Sequence, residues 1–285
     1  MPSAATVDPP RHPWNASFSW RVGEPPFRQL TDAQVEQFDR DGFVVVPDVF
    51  DADLLDPLVA EIDEAIATVD ALLEQSEDGR IAIAESGAIT FAPHLVARSS
   101  QLRAFAAGPF FAGVCHDLIG PDVNLYWDQA VYKKHQKPRR FPWHQDNGYA
   151  YVEPQQYLTC WLALTDATAE NGCPRVLPGV HRQGTLAHTY RDPLGFELVQ
   201  TPDPDDVVVA EVSAGGVVLF SSLTPHLTGP NHTDEVRKAY ILQYAPTGAE
   251  VLVGDPPSPP RSRQRADAPD RQFPVVRDGH SVVAK

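Results

Sequence analysis

The chain has 285 residues, 42% of them hydrophobic, and its 38 acidic side chains against 23 Lys and Arg give a formal charge of −15. That apolar content can bury one substantial core, and the length fits one domain or two. The charge repels phosphate backbones and anionic lipid, so neither nucleic acid nor a membrane surface is an expected partner, and a polyanionic CoA ester is disfavoured as substrate.

Residues 1–30, rich in proline, read as an irregular arm whose Trp14, Phe18, Trp20 and Phe27 are too apolar for a solvated tail. Thr31 and Gln34 form a capping box, flanked by Leu30 and Val35 as a hydrophobic staple, so a helix opens there and stops at Asp41-Gly42. Phe43 to Val46 follows as a buried strand. Leu55, Leu58, Ile62, Ile66 and Leu73 recur at helical spacing and predict an amphipathic helix over about 52–75. Leu102, Phe105, Val114 and Leu118 suggest further helix before Gly120. From 123 onward short strands take over: 123–132, 141–151, 157–165, 174–177, 207–212, 216–221 and 236–245. Ala214-Gly215-Gly216 reads as a hairpin turn between two of them. The irregular stretch from Pro178 to Val207 is expected to cover a site and select its ligand. Residues 254–285, rich in Pro and Arg, read as a tail, which leaves 31–253 as a single domain.

Helices first and strands later is an α+β order, expected to give a β-sandwich or jelly roll braced by N-terminal helices. No apolar run is long enough to span a membrane, and the N-terminus lacks the basic-then-apolar layout of a secretory signal. Cys115, Cys160 and Cys173 are odd in number, without Cys-x-x-Cys spacing. A reduced, cytoplasmic protein is the expectation. Asn15-Ala16-Ser17 matches a glycosylation sequon, without an export signal to support it.

The chemistry concentrates in Trp143-His144-Gln145-Asp146 and in His226, 80 residues beyond Asp146, with Arg237 eleven positions later. Spacing of two puts His144 and Asp146 on one face of a strand or strand end, so a remote histidine must come from another strand. Two imidazoles and a carboxylate on one face of an octahedral metal leave the opposite positions open, as in a non-haem Fe(II) oxygenase. Structural zinc would want a fourth protein ligand. With 10 histidines and 38 acids, a His-x-acid pair arises by chance on the order of once, so the pair alone carries little.

Context carries more: Tyr157 to Leu164, Glu170-Asn171-Gly172-Cys173, Leu177-Pro178-Gly179-Val180-His181, then Pro225-His226-Leu227-Thr228 and Arg237. That order, over roughly residues 31–245, resembles the phytanoyl-CoA dioxygenase-like family. The resemblance implies a double-stranded β-helix (jelly roll, cupin-like) and a single iron held by His144, Asp146 and His226. It also implies 2-oxoglutarate and O2 as cosubstrates, with succinate and CO2 released as a C–H bond of a small organic molecule is oxidised. Hydroxylation is the default outcome; desaturation, cyclisation and epimerisation use the same centre. Related halogenases have a small residue where this chain has Asp146, so oxygenation is favoured.

Arg237 is the candidate clamp for the distal carboxylate of 2-oxoglutarate, since a guanidinium can bind a carboxylate through two parallel hydrogen bonds. Thr228 stands where the family has a hydroxyl residue on the same carboxylate, although Leu227-Thr228 departs from the usual Gly-Ser. Gln129 and Thr159, polar on apolar strands, could bond 2-oxoglutarate or the substrate, or face solvent. His94, where the family often places a basic pocket residue, is a candidate for the substrate pocket, as are Trp143, Asn147 and Tyr149 beside the ligands. The remaining histidines, His181 and His188 among them, read as loop residues. The chemistry is iron-centred, with no separate protein acid or base. Two rivals stay open: a non-catalytic jelly-roll binding protein, and a metal-dependent isomerase or hydrolase of cupin type.

Overall fold

In a computed structural model that describes residues 9–282, four helices cover one face of a large antiparallel sheet and a smaller antiparallel sheet packs on the other. Helix α1, Asp32–Asp41, begins on the Thr31/Gln34 capping box and ends at Gly42 in the left-handed conformation, φ 80°. A Cβ there would run into His181 and Thr224, so only glycine suits the turn. Helix α2, Ala52–Gln75, is capped by Asp51 and buries Leu55, Leu58, Ile62, Ile66 and Leu73. Helices α3, Ser100–Ala106, and α4, Pro109–Leu118, complete the layer.

The major sheet runs, edge inward, Phe43–Val46, Val217–Ser221, Leu158–Ala163, Arg237–Pro246, Val123–Lys133 and Ile89–Pro93. Side-chain alternation splits its two faces. Leu158, Cys160, Leu162, Tyr240, Leu242 and Tyr244 join the helices in one core. Trp161, Ala163, Ala239, Ile241, Val218 and Phe220 face the other way, where they meet Phe141 and Val176 of the minor sheet. The minor sheet is ordered Val208–Val209, Pro174–Val176, His226–Thr228, Phe141–His144.

Several expectations need correction. The runs on either side of Ala214-Gly215-Gly216 do not pair with each other. Val208–Val209 pairs with Pro174–Val176, whereas Val217–Ser221 lies between Phe43–Val46 and Leu158–Ala163. Gly215 donates to the Ala163 carbonyl at 2.8 Å, and its own carbonyl accepts from Val49 and Phe50. The turn thus carries the chain from one sheet to the other. The strand expected over 141–151 stops at His144, and Asp146–Gly148 forms a 3-10 turn. The stretch from Pro178 to Val207 is not an open loop: it contains the hairpin His188–Arg191 with Gly195–Leu198, whose Leu198 packs with Leu186, Trp143 and Leu227.

The described residues toward both ends are bound to the body. Trp14, Phe18, Trp20 and Phe27 of the arm are half-buried; residues 1–8 lie outside the described ones. Asn15 is buried and donates to the carbonyls of Gln183 and Thr185, both at 2.9 Å, which takes the sequon off the surface. Residues 254–282 are not a free tail. Ser262–Arg265 pairs with Glu250–Val253, and Pro274–Arg277 adds to the major sheet beside Val123–Lys133. Among the described residues no helix is long and apolar enough to cross a membrane.

Phe273, Val275 and Val276 are buried in the helix-side core, and full burial of such side chains contributes about 1.5–3 kcal/mol each. A chain ending at Val253 is expected to melt well below the full chain or to aggregate. An unchanged midpoint in thermal unfolding would show that the segment adds nothing to the fold.

Candidate metal centre

His144 and His226 are set by backbone pairing. They stand directly opposite each other on the antiparallel strands Phe141–His144 and His226–Thr228, where paired side chains leave the same face close together. Their rings lie 4.1 Å apart between centroids. Each Nδ1 sits on a backbone carbonyl two residues back, His144 on Pro142 at 2.9 Å and His226 on Thr224 at 3.0 Å. With Nδ1–H donating there, both Nε2 lone pairs point to a common centre. Burial, then the neighbouring His226, holds the His144 pKa well below its usual value, so this imidazole is neutral and free to ligate.

Asp146 opens the 3-10 turn after the strand. Its Oδ1 lies 3.7 Å from His144 Nε2 and 3.8 Å from His226 Nε2. Those separations are too long for hydrogen bonds but lie within the span of two donors on an ion at about 2.0–2.2 Å each. Among the described residues this is the one such group of three His, Cys, Asp or Glu, and no fourth joins it. The donor set fits Fe(II) with open positions better than structural zinc.

Thr159, on the facing major sheet, donates to Asp146 Oδ2 at 2.5 Å and accepts from Gln243 Nε2 at 3.4 Å. Its hydroxyl orients the carboxylate, a role the sequence reading did not give it. His144, Asp146 and His226 line a cavity of about 340 Å³, with Gln129, Tyr149, Thr228 and Arg237 also in its wall.

Arg237 is 1% exposed, and its one hydrogen bond among the described residues is a long one, Nη1 to the Val131 carbonyl at 3.4 Å. Nε and Nη2 have no partner. The guanidinium faces the Trp161 ring at 5.0 Å. Burial lowers its pKa to about 9, which leaves it cationic at neutral pH. A buried cation with two free donors calls for an anion. Lys133, directly opposite on the next strand, is buried too but satisfied: its Nζ donates to the carbonyls of Thr228 at 2.8 Å, Arg139 and Gly229.

Three of the four residues proposed for the substrate pocket stand outside the cavity. Trp143 alternates against His144 and packs with Leu186 and Leu198 behind the metal ligands. Asn147 is consumed internally, donating to Thr185 Oγ1 at 2.6 Å and accepting from Val152 N at 2.9 Å. His94 sits behind the wall, its ring 4.3 Å from that of Trp127, which does line the cavity. Tyr149 lines the cavity. The stretch 178–207 contributes nothing to the lining; its His188 accepts from Gln145 N at 3.0 Å and braces the ligand strand from outside. His181 is no loop residue but is fully buried, against Trp20 and the Asp39 carbonyl. Sequence reasoning missed Gln243, although it shares the Arg237 face at spacing two, and it missed Tyr126, Trp127, Tyr157 and Trp161.

Thr159→Val keeps the shape and removes the hydrogen bond to Asp146. Loss of a partner that orients a metal ligand costs about 10–100-fold in metal affinity, so Fe(II) binding, measured by chelator competition, should weaken by that range while the circular dichroism spectrum is retained. Unchanged affinity would return the Thr159 hydroxyl to a role toward cosubstrate or substrate.

A family model described as Phytanoyl-CoA dioxygenase (PhyH) matches residues 38–239. The chain is 27% identical over 235 residues to an ectoine dioxygenase of Stutzerimonas stutzeri, spanning 74% of this chain and 75% of that one. It is also 27% identical over 228 residues to a methylphosphonate hydroxylase of Gimesia maris, spanning 75% and 80%. In fold it is similar to a non-heme alpha ketoglutarate dependent carbocyclase from nogalamycin biosynthesis, with a TM-score of 0.67 at 22% identity over 87% of this chain and 97% of that one. The chain belongs to the phytanoyl-CoA dioxygenase family of Fe(II)- and 2-oxoglutarate-dependent enzymes.

Proposed function

We propose that this protein oxidises a C–H bond of a small organic molecule, by default to an alcohol, with His144, Asp146 and His226 holding Fe(II) and Arg237 holding 2-oxoglutarate. The balance is one substrate C–H, one 2-oxoglutarate and one O2 giving the alcohol, succinate and CO2. Fe(II) held by the three ligands would supply the redox chemistry that couples the decarboxylation to C–H oxidation. The observation that carries the reading is the buried Arg237 with Nε and Nη2 unpartnered, in the wall of the cavity that the three ligands line. A cupin-type isomerase or hydrolase of a neutral substrate would leave that cation without a partner.

The protein's own work is placement and exclusion. Arg237 takes the distal carboxylate through its free donors, with Thr228 beside it. Lys133 fixes the 228–229 backbone at that end. Thr159 keeps Asp146 aimed. Tyr126 and Tyr157 flank the ligand end as neutral phenols: burial, with Asp146 adding to it, raises Tyr126 to about 12 and Tyr157 well above its usual value.

A jelly roll is the architecture we read behind this site. Eight strands, from Val123–Lys133 to Arg237–Pro246, are dealt between the two sheets; the histidine ligands fall on the second and seventh, and Asp146 in the turn after the second. That layout supports the reading.

Arg237→Ala removes hydrogen bonds to a charged partner, which contribute roughly 1.5–3 kcal/mol. Affinity for 2-oxoglutarate should fall by at least about tenfold with Fe(II) content unchanged, and Arg237→Lys should recover only part of it because an ammonium lacks the planar fork. Calorimetric titration checks this. Unaltered affinity in the alanine variant would place the clamp elsewhere, and no binding by the parent protein would remove the oxygenase reading.

A further inference from the structure

Among the described residues the charged side chains lining the cavity are Asp146 and Arg237. On the oxygenase reading, on which the substrate class rests, the metal takes one and the cosubstrate the other. Three cations on flanking segments are engaged elsewhere, although Arg139 keeps its Nε without a partner. Arg139 pairs with Glu85 at 3.0 Å and donates to the Ile83 carbonyl at 2.6 Å. Arg140 pairs with Glu197 at 2.7 Å, and Lys133 is spent on carbonyls. A carboxylate, phosphonate or phosphate on the substrate would therefore enter without a partner, and an ammonium would meet no carboxylate but Asp146. Burying an unpaired charge is prohibitive.

What the cavity offers instead is neutral. The Gln129 side chain, half-buried in the wall, has no hydrogen bond among the described residues. Gln243 reaches only Thr159, at 3.4 Å. Tyr126 and Tyr157 add phenols that burial keeps protonated. The remaining wall is flat and braced: Trp127 rests against His94, and Tyr149 stacks on Phe141 at 6.0 Å and meets Phe196 edge-on at 5.5 Å. Fixed aromatic faces favour flat rings over flexible chains.

We infer that the substrate is an uncharged, ring-bearing and largely hydrocarbon molecule with a hydroxyl or carbonyl oxygen, not the anion or zwitterion that a second buried ion pair would serve. Gln129, Gln243 and the two phenols receive its oxygen, and Trp127 and Tyr149 its ring.

The test compares 2-naphthol with 2-naphthoate, which share a ring system and differ in charge. Each is titrated calorimetrically into anaerobic protein loaded with Fe(II) and 2-oxoglutarate. Naphthol is expected to bind at least tenfold more tightly than naphthoate. Ile83→Arg, which places a cation at the cavity wall, is expected to narrow or reverse that preference. Naphthoate binding as tightly as naphthol, binding of neither, or an unchanged preference in Ile83→Arg would overturn the inference while the parent protein still binds 2-oxoglutarate. Failure to bind 2-oxoglutarate at all would instead bring down the oxygenase reading, and this inference with it.

Discussion

Everything at this site depends on the register of two short strands. Phe141–His144 and His226–Thr228 pair so that His144 and His226 fall opposite one another, and a slip of one residue would turn one histidine to the outer face of the minor sheet. The register is held from several sides. Pro174–Val176 pairs along the far edge of His226–Thr228, and Gln145 is clamped by Leu186 N, the Gly184 carbonyl and the Leu223 carbonyl. Gly172, at φ 87°, lets its loop lie against the Gly229 backbone, where a Cβ would come within 2.3 Å of the Gly229 carbonyl oxygen. Asn171-Gly172, far from the ligands in sequence, thus serves the ligand strand through backbone contact.

The same fold accepts an electrostatic cost at Arg237, in the wall of the same cavity. Arg237 and Lys133 are cross-strand neighbours, both buried, and Arg237 disfavours the charge on Lys133. Burial, then Arg237, pulls the Lys133 pKa well below its usual value. Lys133 has carbonyls to satisfy it; Arg237 has a single long bond and an aromatic face. Unsatisfied buried donors are rare in folded proteins and concentrate at functional sites. A bound dicarboxylate would relieve this one, so binding energy and folding energy meet at the same guanidinium.

Much of this was legible in the sequence, because its signals are local. The Thr31 capping box, the stripe of α2 and the spacing of His144 and Asp146 are short-range patterns, and each appears in the structure. What was misread depends on which sheet a strand joins. The two runs around Gly215 look like a hairpin until their partners are known, and Pro274–Arg277 has too few residues to announce that it extends the major sheet. Trp143 and Asn147 were assigned to the pocket by nearness to the ligands along the chain. Alternation, which pairs His144 with Asp146, sends Trp143 to the opposite face, so the rule that found the metal site also argued against that assignment. Gln243 was within reach of the same rule, counted back to Arg237.

The central claim is that one cavity holds a metal at one end and an anion at the other. Crystals grown anaerobically with Fe(II) and 2-oxoglutarate, measured above and below the iron absorption edge, test it directly. The account predicts one anomalous peak bounded by His144 Nε2, His226 Nε2 and Asp146 Oδ1, with 2-oxoglutarate extending from it to Arg237 Nε and Nη2. Iron located elsewhere, or 2-oxoglutarate density that leaves those two nitrogens without a partner, would contradict it.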